Sequence, residues 1–227
     1  MKRQLITERD VIDAANHGTK ILMIQSNSII TSAARDEAQK RSVQFSVQPQ
    51  HAMVAPASNL IPVSETSSQP FQRNSMTIAL GSDHGGFRMK EALHTYLAEQ
   101  GNRIIDVGTD SELPCDYPDF AYAVASLVSS RTVERGIIID SVGVASAIVA
   151  NKVPGVRAVP CYDEFVARSS REHNDANVLS LGARFLSIEE AKSAVKLWLQ
   201  TTFSGDKRHI RRLEEIDKLE ESLYKNP

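Results

Sequence analysis

The side chains best suited to polar chemistry in this 227-residue chain fall into short clusters. Asp83-His84 ends an apolar run and is followed by Gly85-Gly86. A carboxylate there can receive donors from a ligand or cap a helix starting at Gly86, and both roles can hold at once. Asp140 ends a second apolar run and opens the loop Ser141-Val142-Gly143-Val144-Ala145-Ser146. Backbone N–H groups where that loop enters a helix would face an oxyanion. The apolar neighbours Ile139 and Val142 can raise the Asp140 pKa toward the range useful for proton transfer; the bland reading is a turn cap. Arg208 and Arg212 are four apart and so share a helix face, and guanidinium matches phosphate bidentately. Taken alone, that basic run reads first as a solvated charged face. The His173 imidazole can give up a proton near neutral pH, although a lone histidine on a helix is usually a surface residue.

These groups need a scaffold, and the pattern supplies one from residue 76 onward. Met76 to Leu80 is an apolar strand, and Met89, Leu93, Tyr96 and Leu97 mark one face of the helix after it. Further strands are expected at Arg103 to Val107, Gly136 to Ile139, Arg157 to Pro160 and Val178 to Leu181, with a helix from Phe120 to Ser129 and others between. The near-pure apolar run at Gly136 to Ile139 fits the centre of a parallel sheet. Strand–helix alternation of this kind implies an α/β fold, a doubly wound, Rossmann-like, five-stranded parallel sheet. Ligands of such sheets bind outside the carboxyl ends of the strands. That rim would hold Asp83, His84, Asp140, Ser141, Cys161 and Asp163.

The first 75 residues differ. Residues 1–47 read as a small α+β extension, with a helix from Thr7 to Asn16 capped by Thr7 and Asp10 and stopped by Gly18. A strand at Lys20 to Gln25, with Ile29-Ile30 extending or following it, a helix at Ala33 to Lys40 and a strand at Val43 to Val47 complete it. So small a unit is expected to dock on something. Residues 48–75 carry four prolines and five serines, a linker composition. If flexible it spans roughly 30 Å. The domain would then occupy residues 76–227.

Composition excludes several classes. The net charge of −2 gives no nucleic-acid footprint. No apolar run approaches the ~20 residues needed to cross a bilayer, and the N-terminus lacks a signal pattern. The two cysteines, Cys115 and Cys161, form neither a disulfide framework nor a metal-ligand pair, which suits a cytoplasmic location. Gly81-Ser82-Asp83-His84-Gly85-Gly86 lacks the dinucleotide register and no P-loop lysine appears, so no cofactor and no metal are expected.

The segment Gly81-Ser82-Asp83-His84-Gly85-Gly86-Phe87 with Lys90 resembles the first strand-loop of type B ribose-5-phosphate isomerases, a family that includes galactose-6-phosphate isomerase subunits. The likeness continues through Asp116-Tyr117-Pro118, Ala150-Asn151-Lys152, Gly155-Val156-Arg157-Ala158, Arg171 to Val178, Gly182-Ala183-Arg184 and Arg208 to Arg212. It implies aldose–ketose isomerisation of a phosphorylated sugar through a metal-independent enediolate. In that reading His84, Arg208, Arg212 and Arg184 hold phosphate, and His173 opens the ring beside Asn174. Asp83 and Tyr117 bind the sugar, while Ser141, Gly143, Val144 and Ala145 present the loop to the enediolate. The resemblance also implies a homodimer or tetramer in which the basic C-terminal helix reaches a neighbour's site. More faintly, Ile6 to Val11 and Ile30 to Asp36 are similar to segments on enzymes of bacterial microcompartments, implying a shell or cargo partner and a place inside such a body; the alternative is a private dimerisation or capping extension.

The chain departs from the family pattern where the proton is moved. Many members place a catalytic cysteine where this chain has Asp140 and a threonine where it has Val142; another branch uses a glutamate where it has Ser146. Asp140 is the natural substitute base, Cys115 a weaker candidate, and a non-catalytic sugar-phosphate-binding protein the alternative.

Overall fold

In the computed structural model of the chain, residues 5–25, 28–30, 32–47 and 75–224 are described, and they fall in two compact units. The linker expected at 48–75 lies outside the described residues except for Ser75. The first unit runs β1 (Leu5–Ile6), α1 (Glu8–Asn16), β2 (Ile21–Ile24), β3 (Ile29–Ile30), α2 (Ser32–Arg41) and β4 (Gln44–Val47). The Asp10 carboxylate accepts from the Thr7 N–H at 2.7 Å and the Thr7 hydroxyl at 2.8 Å, which fixes where α1 begins. Gly18, at φ 74°, turns the chain out of that helix. β1 pairs in parallel with β3 and β2 with β4, so Ile29-Ile30 follows β2 as a separate strand rather than extending it. Ile6, Val11, Ile24, Ala34, Ala38 and Val43 form a small core.

The second unit contains β5 (Thr77–Ser82), α3 (Phe87–Glu99), β6 (Arg103–Asp106), α4 (Tyr117–Ser129), β7 (Arg135–Asp140), α5 (Val144–Ala150), β8 (Ala158–Cys161), α6 (Glu164–Asn174), β9 (Val178–Gly182), α7 (Ile188–Gln200) and α8 (Lys207–Tyr224). Its five-stranded sheet has the order β6-β5-β7-β9-β8, with every pair parallel. Alternation sorts the strand side chains between two layers. Ile78, Leu80, Ile137, Ile139, Leu179 and Leu181 pack with α3 and α7, around the fully buried Trp198. Ala79, Ile138 and Val178 pack with α4 and α5. No helix among the described residues is long and apolar enough to cross a membrane.

Strand order reverses between β5 and β7, because the chain winds outward to β6 and then returns to the other side of β5. The carboxyl ends of β5 and β7 therefore open a crevice, the usual ligand position in such sheets. Ser82 is in register with Ile139, and the Asp83 N–H donates to the Ile139 carbonyl at 3.3 Å. Each crossover helix runs from the carboxyl rim back to the amino rim. α6 begins beside the end of β8, where Asp163 caps it by accepting from the Val166 N–H at 2.7 Å. Its last residues, His173-Asn174, thus lie about 16 Å away at the amino rim. α8 crosses that rim as a strap. Its first turns sit by the end of α6, and its last turns reach the α5–β8 loop, where Glu220 accepts from the Gly155 N–H and the Tyr224 hydroxyl donates to the Lys152 carbonyl.

A Cβ on Gly86 would overlap the Ile139 carbonyl, a backbone group that cannot rotate away. Gly86→Ala should cost about 1–3 kcal/mol, read from the denaturant midpoint. Gly101→Ala, in open space at φ 83°, should cost only about 1–2 kcal/mol through backbone strain, so a milder effect at Gly86 would contradict the close approach.

Candidate active site

β5 delivers Asp83 and His84 to the crevice, and Gly85-Gly86 lets the chain turn there against β7. Asp83 is 7% exposed, and its Oδ1 accepts from the Gly86 N–H at 3.1 Å. Burial pushes its carboxyl above the ordinary range, and the nearby Asp140 charge adds to the rise. The His84 imidazole is exposed and held through Nδ1, 3.2 Å from the Cys115 N–H, which leaves Nε2 for a ligand. Cys115 lies alongside, with Sγ 4.0 Å from His84 Nδ1, but burial pushes its thiol up and away from the thiolate a base would need. Cys161 is buried and pushed up to about 11 by burial, an ordinary packing thiol. Tyr117 opens α4 on the same rim, and the Arg184 N–H donates to the Ser141 carbonyl at 3.1 Å.

The loop after β7 is organised by Asp140 itself. Its Oδ1 accepts from the Val142 N–H at 2.7 Å and from the Gly143 N–H, and its Oδ2 accepts from the Ser146 N–H at 3.1 Å and the Ser146 hydroxyl. A carboxylate offers about four lone-pair sites, and all are taken. Gly143, at φ 84° and pressed against the Leu181–Gly182 backbone, makes the turn possible. Asp140, the residue expected as the base, is 4% exposed and holds four donors, so its carboxylate anchors the loop. The amides of Ser141, Val144 and Ala145, by contrast, have no protein acceptor among the described residues. Ser146 is fully buried, and its hydroxyl bond to Asp140 carries no signal in residue spacing.

The remaining expected residues stand elsewhere. His173 and Asn174 end α6 at the amino rim, together with Arg208 and Arg212 on α8, so within one chain they do not meet Asp83. The His173 and His209 rings lie 4.5 Å apart. His209, overlooked in the basic run, is buried and bonded to the Ser204 hydroxyl at 2.8 Å, and burial with the neighbouring His173 charge pushes its pKa down. No group of three or more metal-ligating side chains occurs among the described residues.

Comparison with known proteins gives the two rims a context. Residues 78–216 match the ribose/galactose isomerase family. This chain belongs to that family. It is 43% identical over 144 residues to ribose-5-phosphate isomerase B of Escherichia coli, covering 63% of this chain and 96% of that protein. It is 37% identical over 132 residues to D-erythrulose-4-phosphate isomerase of Pectobacterium atrosepticum, covering 57% and 86%. Among solved structures, Clostridium thermocellum ribose-5-phosphate isomerase B superposes with a TM-score of 0.64 at 43% identity, covering 65% of this chain and 99% of that one.

Because Asp83 holds its proton more tightly folded than unfolded, the protonated carboxyl adds stability below the ordinary value of ~3.9, and that stability is lost as pH rises through the raised value. Asp83→Asn keeps the Oδ1 acceptor. It should melt above the unmodified protein at pH 7.5 and converge with it below about pH 4. A melting difference that does not change with pH would contradict the raised value.

Proposed function

We propose that this chain interconverts the aldose and ketose forms of a small phosphorylated sugar of four to six carbons, ribose 5-phosphate and ribulose 5-phosphate first among them. Family membership supports sugar-phosphate isomerisation. The observation that carries the reading is the crevice itself, where a protonatable Asp83 carboxyl faces the loop whose Ser141, Val144 and Ala145 amides have no acceptor. His173 protonates the ring oxygen and Asn174 steadies the opened chain. The Asp83 carboxylate then removes the C2 proton of the aldose. The C–H electrons form the C1=C2 bond, and charge collects on O1 before the loop amides. Asp83 returns that proton to C1 while the O2 hydroxyl proton passes to O1, so that O2 becomes the carbonyl oxygen and the ketose forms. A carboxyl held above its usual range suits both halves of this exchange. His84, Arg184, Arg208 and Arg212 grip the phosphate.

The two rims are too far apart to serve one sugar in one chain. A homodimer in which the amino rim of one copy meets the carboxyl rim of its partner unites them twice over, as a two-fold axis requires. Asp83→Asn and His173→Ala should each lower kcat by about a thousandfold. Mixing the two inactive proteins should restore about a quarter of the activity, since half of the dimers are mixed and each holds one intact site. Failure to recover would place both residues in one chain's site. Asp140→Asn should chiefly lower the melting temperature. The full engagement of Asp140 also favours a second reading, a non-catalytic sugar-phosphate binder. Ligand-dependent stabilisation with no deuterium incorporation at C2 would select it.

Residues 1–47, with a core of their own, are read as a module that delivers the enzyme to a protein shell or cargo partner, such as that of a microcompartment. Removing residues 1–75 should leave kinetics unchanged and abolish co-localisation; impaired turnover would argue against a delivery role.

A further inference from the structure

A cavity of roughly 660 Å³ lies beside the second half of α8 at the amino rim, where α4 ends and β7 begins. None of the residues assigned to isomerisation lines it. One wall carries Arg131, Arg135 and Arg157, and the facing wall is α8, with Asp217 and Glu220.

The arginines are unequally satisfied. Asp175 binds Arg157 at 2.9 Å and Arg171 at 2.7 Å. Glu134 accepts from the Thr77 N–H at 2.7 Å and forms no ion pair among the described residues. Arg135 is left with a single bond, from Nη1 to the Glu134 carbonyl at 2.8 Å, and its Nε is buried without a partner. Its guanidinium carbon lies 6.0 Å from the centre of the Trp198 ring, at the edge of cation–π range. Arg131 forms no ion pair among the described residues and is held at φ 55°, a left-handed conformation uncommon outside glycine. Asp175, at φ 44°, shares that conformation and lines the same cavity. Burial, aided by the Arg171 and Arg157 charges, depresses the Arg135 pKa despite the nearby Asp175 and Glu134 carboxylates, which act the other way. Across the cavity Glu220 is tied to the Gly155 N–H at 2.8 Å, while Asp217 forms no ion pair among the described residues.

We infer that this cavity is a second small-molecule site, for a phosphomonoester of a polyol, with Arg131 and Arg135 holding the phosphate and the Asp217 carboxylate receiving hydroxyls. A planar guanidinium with an unpaired Nε–H suits a phosphate oxygen. The carboxylate wall selects hydroxyl-bearing ligands over bare polyanions, and the volume suits a molecule of that size.

Ribitol 5-phosphate, which has no carbonyl to react, is titrated calorimetrically into the full chain, its His84→Ala variant, and that variant carrying Arg131→Gly or Arg135→Met. Glycine suits the backbone at 131, so Arg131→Gly removes the cation without endangering the fold. Binding that survives His84→Ala and weakens about tenfold or more with either arginine substitution is the expected result. No binding in His84→Ala, or binding indifferent to both arginines, would overturn the inference. Either result is independent of isomerase activity, which the unmodified protein reports separately.

Discussion

A parallel sheet can be built only if the chain travels its full length between one strand and the next, and that constraint governs everything else in the second unit. Each crossover helix leaves the carboxyl rim and arrives at the amino rim. Chemistry-bearing residues are therefore sorted by which end of a helix they occupy. Asp83, His84, Tyr117, Arg184 and the 140–146 loop follow strands; His173 and Asn174 follow a helix. The same rule sets α8 across the amino rim, with His209 packed on His173 at one end and Glu220 and Tyr224 fastened to the α5–β8 loop at the other.

At the carboxyl rim the controlling feature is electrostatic. Two carboxyls, Asp83 and Asp140, are buried close together at adjacent strand ends, and they differ in how their charge is met. Asp140 collects four donors from its own loop, whereas Asp83 is met through the backbone of its own turn, with the Gly86 N–H donating to Oδ1. Such division is how two similar groups in one site acquire different duties. The loop's remaining amides are left unpaired because Asp140 takes Val142, Gly143 and Ser146 and no others.

Much of this was legible in the sequence. Apolar alternation located β5, β7 and β9 within a residue or two, the capping residues Thr7 and Asp10 set the start of α1, and the motifs from Gly81 to Arg212 indicated the family. Three things were not. Two-residue strands such as Ile29–Ile30 carry no period, so their pairing with Leu5–Ile6 had no local signal. The bond between Asp140 and Ser146 depends on a left-handed turn at Gly143 that brings residues six apart together, which spacing alone does not reveal. The buried His209 sits within a run of cations whose composition reads as solvated, and only its contact with His173 sets it apart.

The Asp140–Ser146 pair is also one-sided. A buried carboxylate with one donor fewer is costly, whereas a lone buried serine hydroxyl can turn to the carbonyl one helical turn back. The carboxylate therefore depends on the hydroxyl far more than the hydroxyl depends on the carboxylate.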